Sequence, residues 1–264
     1  MSEKRDITDM LPKEFRLMVR KAQWTEPTAP ACPGYVQANL AIVPKDVAFD
    51  FFLFCFRNWQ ACSLVDVTEP GDPHPKLVAP DADLQTDLPM YRVFKNGELL
   101  EEPTDVLKYW REDLVGFLIG CSWGFEGALK AANVQFRTLG DFTTNIPLVP
   151  AGPFSGTMAC SMRLFKTSQD AVRAVQISSR YVPEHGAPVF IGEPEDIGIK
   201  DIYHADLYPH HDVYPREPGE IAMFWGCGIT PQLTALNAKL PIMITHKGGH
   251  MLVTDKFAAE LAVI

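Results

Sequence analysis

Residues 114–132 read LVGFLIGCSWGFEGALKAA, and residues 220–232 read EIAMFWGCGITPQ. In both stretches a short apolar run ends in Gly-Cys, at Gly120-Cys121 and Gly226-Cys227, and a helix-compatible segment follows. The runs at 114–120 and 220–225 have the length of strands and stop at glycine, so they read as buried strands. After the first, residues 125–132 read as a helix. After the second, Thr230-Pro231-Gln232 opens one, with Thr230 as N-cap and Pro231 in the first helical position. Strands that feed helices through tight glycine turns predict an α/β fold with a parallel or mixed sheet and helices on both faces.

Outward from these two stretches the same alternation continues. Residues 9–21 read as a helix, with Asp9 as cap, Pro12 in the first turn, and Phe15, Met18 and Val19 on one face. Residues 35–43 form a strand stopped by Pro44, and 45–58 a phenylalanine-rich helix. A short strand at 63–67 leads into a loop at 69–89 that carries five prolines, and long loops of this kind are often functional. Residues 91–100 read as a hairpin turning at Asn96-Gly97. Thr104 is read as capping a helix to residue 110, and Thr167 or Ser168 as capping another to 180. Further strands fall at 157–164, 189–191, 242–245 and 251–253, and a terminal helix closes the chain. No fixed-period repeat and no strong linker divides it.

The composition excludes several classes. With 264 residues, 47% of them hydrophobic and 22% charged, the chain has ample core for one large domain. Its 24 Lys and Arg against 33 Asp and Glu give a net charge of −9. A surface of that sign repels phosphate backbones, so no nucleic-acid partner is expected. No apolar run is long enough to span a membrane. Nothing in the first residues resembles a secretory leader, which predicts a cytoplasmic protein. Six scattered cysteines with no CxxC fit reduced thiols. GxGxxG, P-loop and GxSxG signatures are absent, so nucleotide, hydride and serine-hydrolase chemistry have no support.

Candidate chemistry gathers at strand ends, where ligands of open α/β sheets bind. Helix N-termini there offer N–H groups to a carboxylate and favour thiolates, which singles out Cys121 and Cys227. Glu126 is a cap or an acid/base. Arg163, ending an apolar strand, is a clamp for a carboxylate or one half of a surface ion pair. His185 and His246 stand in or beside glycine-containing loops suited to proton transfer. Asp201, His204, Asp206, His210, His211 and Asp212 are metal-ligand types without the spacing of a zinc site, so a solvated loop and no metal are expected.

Taken in order, many segments make the chain resemble the D-glutamate cyclase family. They are 34–40 (GYVQANL), 87–93 (DLPMYRV), 117–122 (FLIGCS), Phe125-Glu126, 151–154 (AGPF), Ser161-Met162-Arg163, 185–188 (HGAP), Gly192, 224–232 (FWGCGITPQ), 244–246 (ITH), and His250-Met251 through Thr254-Asp255. The resemblance implies a larger α/β unit with a smaller embedded two-layer α/β subdomain, placed at 135–200. It implies a hydro-lyase that converts D-glutamate to 5-oxo-D-proline and water. The chain departs from the family pattern at Gln85, where an Arg is usual, and at Ser63, where a Pro follows Cys62. It departs again at Trp123-Gly124, which replaces a Ser-containing pair, and at Phe190, where a His is usual.

Lactam closure needs both ends of a small acidic substrate held and protons moved. In this reading Arg163, Thr230 and Gln232 hold carboxylates, with Gln37, Asn39 and Ser122 also lining the site. Backbone N–H groups beyond Cys121 or Cys227 stabilise the oxyanion. Glu126, His185 and His246 move protons, and no metal or organic cofactor is needed. Two other readings stay open: a racemase or epimerase using Cys121 and Cys227 as facing acid and base, and a non-catalytic binder of small carboxylates. A homo-oligomer is expected only from the general habit of soluble α/β enzymes.

Overall fold

The strand β1 (Tyr35–Pro44) is buried without interruption from residue 36 to 43. A strand that alternates in and out would face water on one side, so this continuous burial marks a strand covered on both faces. The computed structural model, which describes residues 6–209 and 215–263, places β1 at the centre of a seven-stranded sheet. On one side β1 pairs with β5 (Leu114–Ile119), which in turn pairs with β2 (Leu64–Val67). On the other side it pairs with β11 (Met243–His246) and, nearer its start, with β12 (Leu252–Phe257). Next to β11 lies the hairpin of β3 (Tyr91–Lys95) and β4 (Glu98–Glu101). Its turn residues Asn96 and Gly97 both take positive φ, the type I′ conformation that this dipeptide favours.

A second, five-stranded sheet runs in the order β8 (Phe190–Ile191), β10 (Ile221–Gly226), β7 (Thr157–Phe165), β6 (Arg137–Pro147), β9 (Tyr208–Pro209). The helices are α1 (Pro12–Arg20), α2 (Lys45–Arg57), α3 (Trp123–Ala131), α4 (Ser168–Ser178) and α5 (Thr230–Ala238). The two Gly-Cys strands therefore belong to different sheets, β5 to the first and β10 to the second. One apolar core joins the sheets: Phe51 and Phe54 of α2 cluster with Phe117 of β5, Met162 and Leu164 of β7 and Phe224 of β10. The Phe51 ring meets Phe117 and Phe154 edge-on, at 4.8 and 4.9 Å between centroids.

The α/β class holds, but in strand direction the expectation is corrected. Every ladder among the described residues is antiparallel. The chain enters its helices from strands but returns to pair from the opposite direction, so the strand–helix alternation does not make right-handed parallel crossovers. Residues 135–200 carry α4 and contribute β6, β7 and β8 to the second sheet, which also takes β9 and β10 from beyond that range.

Several local readings also change. The strand β6 had no sequence counterpart, because its threonines, Gly140 and two breaks in register blur any alternation. Residues 104–110 contain only a 3-10 turn, Leu107–Tyr109, preceded by Val106 and not capped by Thr104. The chain ends on a 3-10 turn, Ala258–Leu261, instead of an α-helix. Leu11, not Asp9, precedes α1, and Ile229, not Thr230, precedes α5. Thr167 does cap α4, accepting from the Asp170 N–H at 3.0 Å. The loop 69–89 forms no regular element and is pinned instead. Asp66 accepts from Leu77 and Val78 N–H, and buried Asp87 pairs with Arg20 at 2.7 Å.

Because Phe51 fills the junction between the sheets, Phe51→Ala should lower the unfolding free energy by about 3–5 kcal/mol. Denaturant titration checks this, and a loss below about 1 kcal/mol would contradict the shared core.

Candidate active site

The two Gly-Cys turns have the same local geometry. Beyond β5, the Trp123 N–H donates to the Cys121 sulfur; beyond β10, the Ile229 N–H donates to the Cys227 sulfur. In each case the donor lies two residues past the cysteine, at the mouth of α3 or α5. Neither turn tolerates a side chain at its glycine. A Cβ on Gly120 would lie 1.8 Å from the Pro183 carbonyl oxygen, and one on Gly226 would lie 2.0 Å from that of Gln60. Asn39 of β1 reaches the first turn by donating to the Gly120 carbonyl at 2.7 Å, and its amide lies against Gly228 of the second.

The turns thereby converge on Asp141 of β6. The Cys227 thiol donates to the Asp141 carboxylate, and Asp141 acts electrostatically on Cys121 as well. Burial pushes Asp141 up to about 7; the Arg163 charge and the Cys227 hydrogen bond hold it from rising further. Burial also pushes the Cys121 thiol up to about 12 and drives Cys227 well above the usual thiol value. The thiolate that helix N-termini were expected to favour is thus opposed by desolvation, the larger effect here. Both thiols are neutral around pH 7, while Asp141 is poised to exchange a proton.

Arg163 of β7 and Glu126 of α3 find each other. The guanidinium, wholly buried, donates to Glu126 Oε1 from Nε at 3.0 Å and from Nη2 at 2.6 Å. It also donates to Ser161 at 2.9 Å and Ser122 at 2.9 Å, and it lies against the Phe125 and Trp225 rings, which touch each other. An ion pair is present, but the one expected at the surface is instead buried, and most of the Arg163 donors are engaged within the protein. Ser122 is likewise engaged.

The histidines are neutral for the same reason the acids are. His185, buried and at positive φ, places Nδ1 3.0 Å from the Gln60 carbonyl and 3.4 Å from Ser63 Oγ. Burial and the Arg163 charge bring it down to about 4. His246 accepts the Leu40 N–H at Nδ1 and leaves Nε2 buried without a partner; burial brings it down to about 3. Thr230 donates to the Cys227 carbonyl at 2.7 Å and accepts from the Ala159 N–H. Gln232 links the His246 carbonyl to Arg92. Gln37 donates to the Thr28 and Ala31 carbonyls, and its Oε1 has no partner. Of the departures, Phe190 packs in the core against Phe224, and the Gln85 backbone joins the pinned loop.

A cleft of about 650 Å³ opens over the start of α3, walled by Trp24, Gln37, Trp123, Gly124, Lys130 and Tyr208. Tyr208 stands opposite Asp141 in the β6–β9 ladder. Thus Gln37 and Glu126 border the cleft, and its walls Trp123 and Tyr208 are the neighbours of the Cys121 turn and of Asp141; Cys121, Cys227 and Asp141 lie behind the lining. His246 and Gln232 belong to a separate polar group with Arg92, Glu102 and Lys247. In the acidic segment, His204 pairs with Asp201 at 2.7 Å, and Asp206 binds Thr143. Among the described residues no group of three such side chains could hold a metal ion. His210, His211 and Asp212 lie outside the described residues.

Sequence reading missed Asp141 and Glu184. Asp141 sits in the strand that had no legible pattern. Glu184 immediately precedes the noted His185-Gly186, yet its burial depends on a distant contact, with its carboxyl lying directly against Gly124. It is wholly buried, neither oxygen has a partner, and burial raises it to about 8.

The D-glutamate cyclase family profile matches residues 115–255, which carry both turns, Asp141, Arg163 and Glu184. The chain belongs to the D-glutamate cyclase family. A protein of Bacillus licheniformis named "Putative hydro-lyase" is 49% identical over 98% of this chain and 99% of its own length. Proteins of the same name from Bacillus subtilis and Psychrobacter arcticus are 47% and 44% identical, over 97% and 98% of this chain and 100% and 99% of theirs. Among solved structures, a nitrogen repressor-like protein of Methanococcus jannaschii aligns over 92% of this chain and 98% of that one. Its TM-score is 0.39 at 8% identity, too distant to carry an argument. No helix among the described residues is long and apolar enough to cross a membrane.

Glu184 gives this buried site a pH signature. The unfolded carboxyl releases its proton near 4.5, the folded one near 8. Its contribution to stability is therefore complete below 4.5 and is lost as pH rises toward 8. Glu184→Gln removes that titration, so the melting temperature of the variant relative to wild type should climb between pH 4.5 and 8. A difference that stays flat with pH would contradict the buried neutral acid.

Proposed function

We propose that the protein is a hydro-lyase that closes a small acidic amino acid into a lactam, D-glutamate to 5-oxo-D-proline with loss of water. The observation that carries this reading is the convergence of the two Gly-Cys turns on a carboxyl group that titrates near neutrality, beside a cleft of substrate size. The names of the family and of its hydro-lyase relatives support the same class of reaction.

The chemistry sets requirements that these residues can meet. The substrate ammonium must lose two protons, the amine must attack the γ-carboxyl carbon, and one γ-oxygen must leave as water carrying those two protons. Asp141, as carboxylate, takes a proton from the ammonium; the neutral acid then delivers it to the departing oxygen. The Cys227 thiol, hydrogen-bonded to Asp141, can pass the second proton along the same line. Trp123 and Ile229 N–H groups, already aimed at the sulfurs, fix the turns so that the donors need not reorganise during reaction. Lys130 and the mouth of α3 are the positive groups at the cleft, where a substrate carboxylate would sit; Glu126, the neighbour of Lys130, is already held by Arg163. Arg163 in this scheme orients Ser122 and Glu126 and biases Asp141 toward its charged form, and does not clamp substrate.

The two-thiol racemase reading uses the same neighbours but requires one cysteine as thiolate. Burial of both sulfurs works against it. Incubation with D-glutamate, L-glutamate and 5-oxo-D-proline, analysed by chiral chromatography, tests the proposal, with Cα deuterium exchange in heavy water as the mark of racemisation. Asp141→Asn should lower kcat by about 10²- to 10⁴-fold with little change in KM. The wild-type pH profile should show an inflection near 7 that this variant lacks. Undiminished turnover in a folded Asp141→Asn protein would sink the assignment.

A further inference from the structure

The helix α2 is apolar on two opposite sides. Phe51, Phe54 and Cys55 enter the core that joins the sheets. On the other side Phe49 is 75% exposed, Phe56 72%, Phe52 45% and, just past the helix end, Trp59 42%. A helix that is hydrophobic all round belongs in an interior. At about 200 Å² per aromatic side chain these four leave about 450 Å² of apolar surface, the size of the largest patch on a monomer, which is often functional. Val149, held to the helix end through Asn58, and Val182, next to Gly186 on which Trp59 rests, widen the patch.

We propose that this face of α2 is a two-fold interface between two copies of the chain. The choice of a second copy rests on the self-complementarity of the stripe. Lys45, Phe49, Phe52, Phe56 and Trp59 follow one another at intervals of four, three, four and three residues, the spacing of a helix–helix seam. Two antiparallel copies related by an axis through Phe52 set Phe49 of one against Phe56 of the other. At both ends the same operation lays the exposed Lys45 ammonium over the Trp59 indole, a cation–π pairing that closes the seam twice. The four side chains give about 450 Å² per partner, and the flanking Val149, Val182 and a polar rim must supply the rest of the roughly 800 Å² of a stable complex.

The interface would also back the reactive turns. Trp59 packs on Gly186, and the next residue, Gln60, receives the His185 hydrogen bond and lies against Gly226. The second copy thus braces the segment on which both Gly-Cys turns rest.

Sedimentation or light scattering of the full chain should give twice the 29.5 kDa chain mass. The double variant Phe49→Glu/Phe56→Glu should sediment as a single chain with unchanged circular dichroism. Independently, Phe52→Cys lies on the proposed axis and should form a disulfide-linked dimer under mild oxidation, whereas Val172→Cys, exposed on α4, should not. If the double variant fails to fold, the Phe52→Cys pair decides alone. A wild-type protein of single-chain mass at micromolar concentration overturns the proposal. So does a dimer that survives the glutamate substitutions, or one that does not cross-link through residue 52.

Discussion

A guanidinium with no access to water ties the two sheets of this protein together at the candidate site. Arg163 stands on β7, in the second sheet, while Glu126 and Ser122 stand at the start of α3, which leaves the first sheet. The ion pair is therefore a bond between sheets, made where Phe125 and Trp225 exclude solvent. A charge buried this way is tolerable only because most of its donors are used, and loss of either partner would strand the other in the interior. The geometry of the Cys121 turn depends on that bond, since the same residues that satisfy Arg163 begin the helix behind the cysteine.

The same charge sets the chemistry of its neighbours. Desolvation alone would keep Asp141 protonated far above neutrality; the Arg163 field and the Cys227 thiol draw it back to about 7. Glu184 has no such counterweight and stays higher, at about 8. His185 feels both burial and the Arg163 field as penalties on its charged form. Asp141 poised near neutrality, Glu184 holding its proton and His185 refusing one leave little net charge around the compensated Arg163–Glu126 pair. Under the proposed lactam closure, a zwitterionic substrate would meet groups there that exchange protons at little electrostatic cost.

How much of this was legible in the sequence depends on the range of the contacts. The hairpin at Asn96-Gly97, the buried β1 and the strand–Gly-Cys–helix units follow from local rules, because turn chemistry and hydrophobic runs act over a few residues. Arg163, Glu126 and Ser122 were each noted from sequence, but their mutual engagement was not, since it joins positions 37 to 41 residues apart. Antiparallel direction escaped because strand order carries no local signature. Asp141 was hidden by a polar, broken strand. The thiols misled for a physical reason: the helix N-terminus does face them, but burial, invisible to spacing, outweighs it.

The paired turns also explain why likeness of backbone need not mean likeness of role. Trp123 and Ile229 treat their sulfurs alike, and both glycines admit a carbonyl where a side chain would be. Charge then breaks the symmetry. Cys227 is hydrogen-bonded to Asp141, while Cys121 lies nearer the influence of Glu184 and Glu126 without a carboxylate bond of its own. Racemisation asks two opposed groups to exchange roles on alternate turnovers, which favours matched environments. The proposed loss of water asks for a one-way transfer, from nitrogen to a departing oxygen, and an unequal pair with one poised carboxyl would suit that direction better.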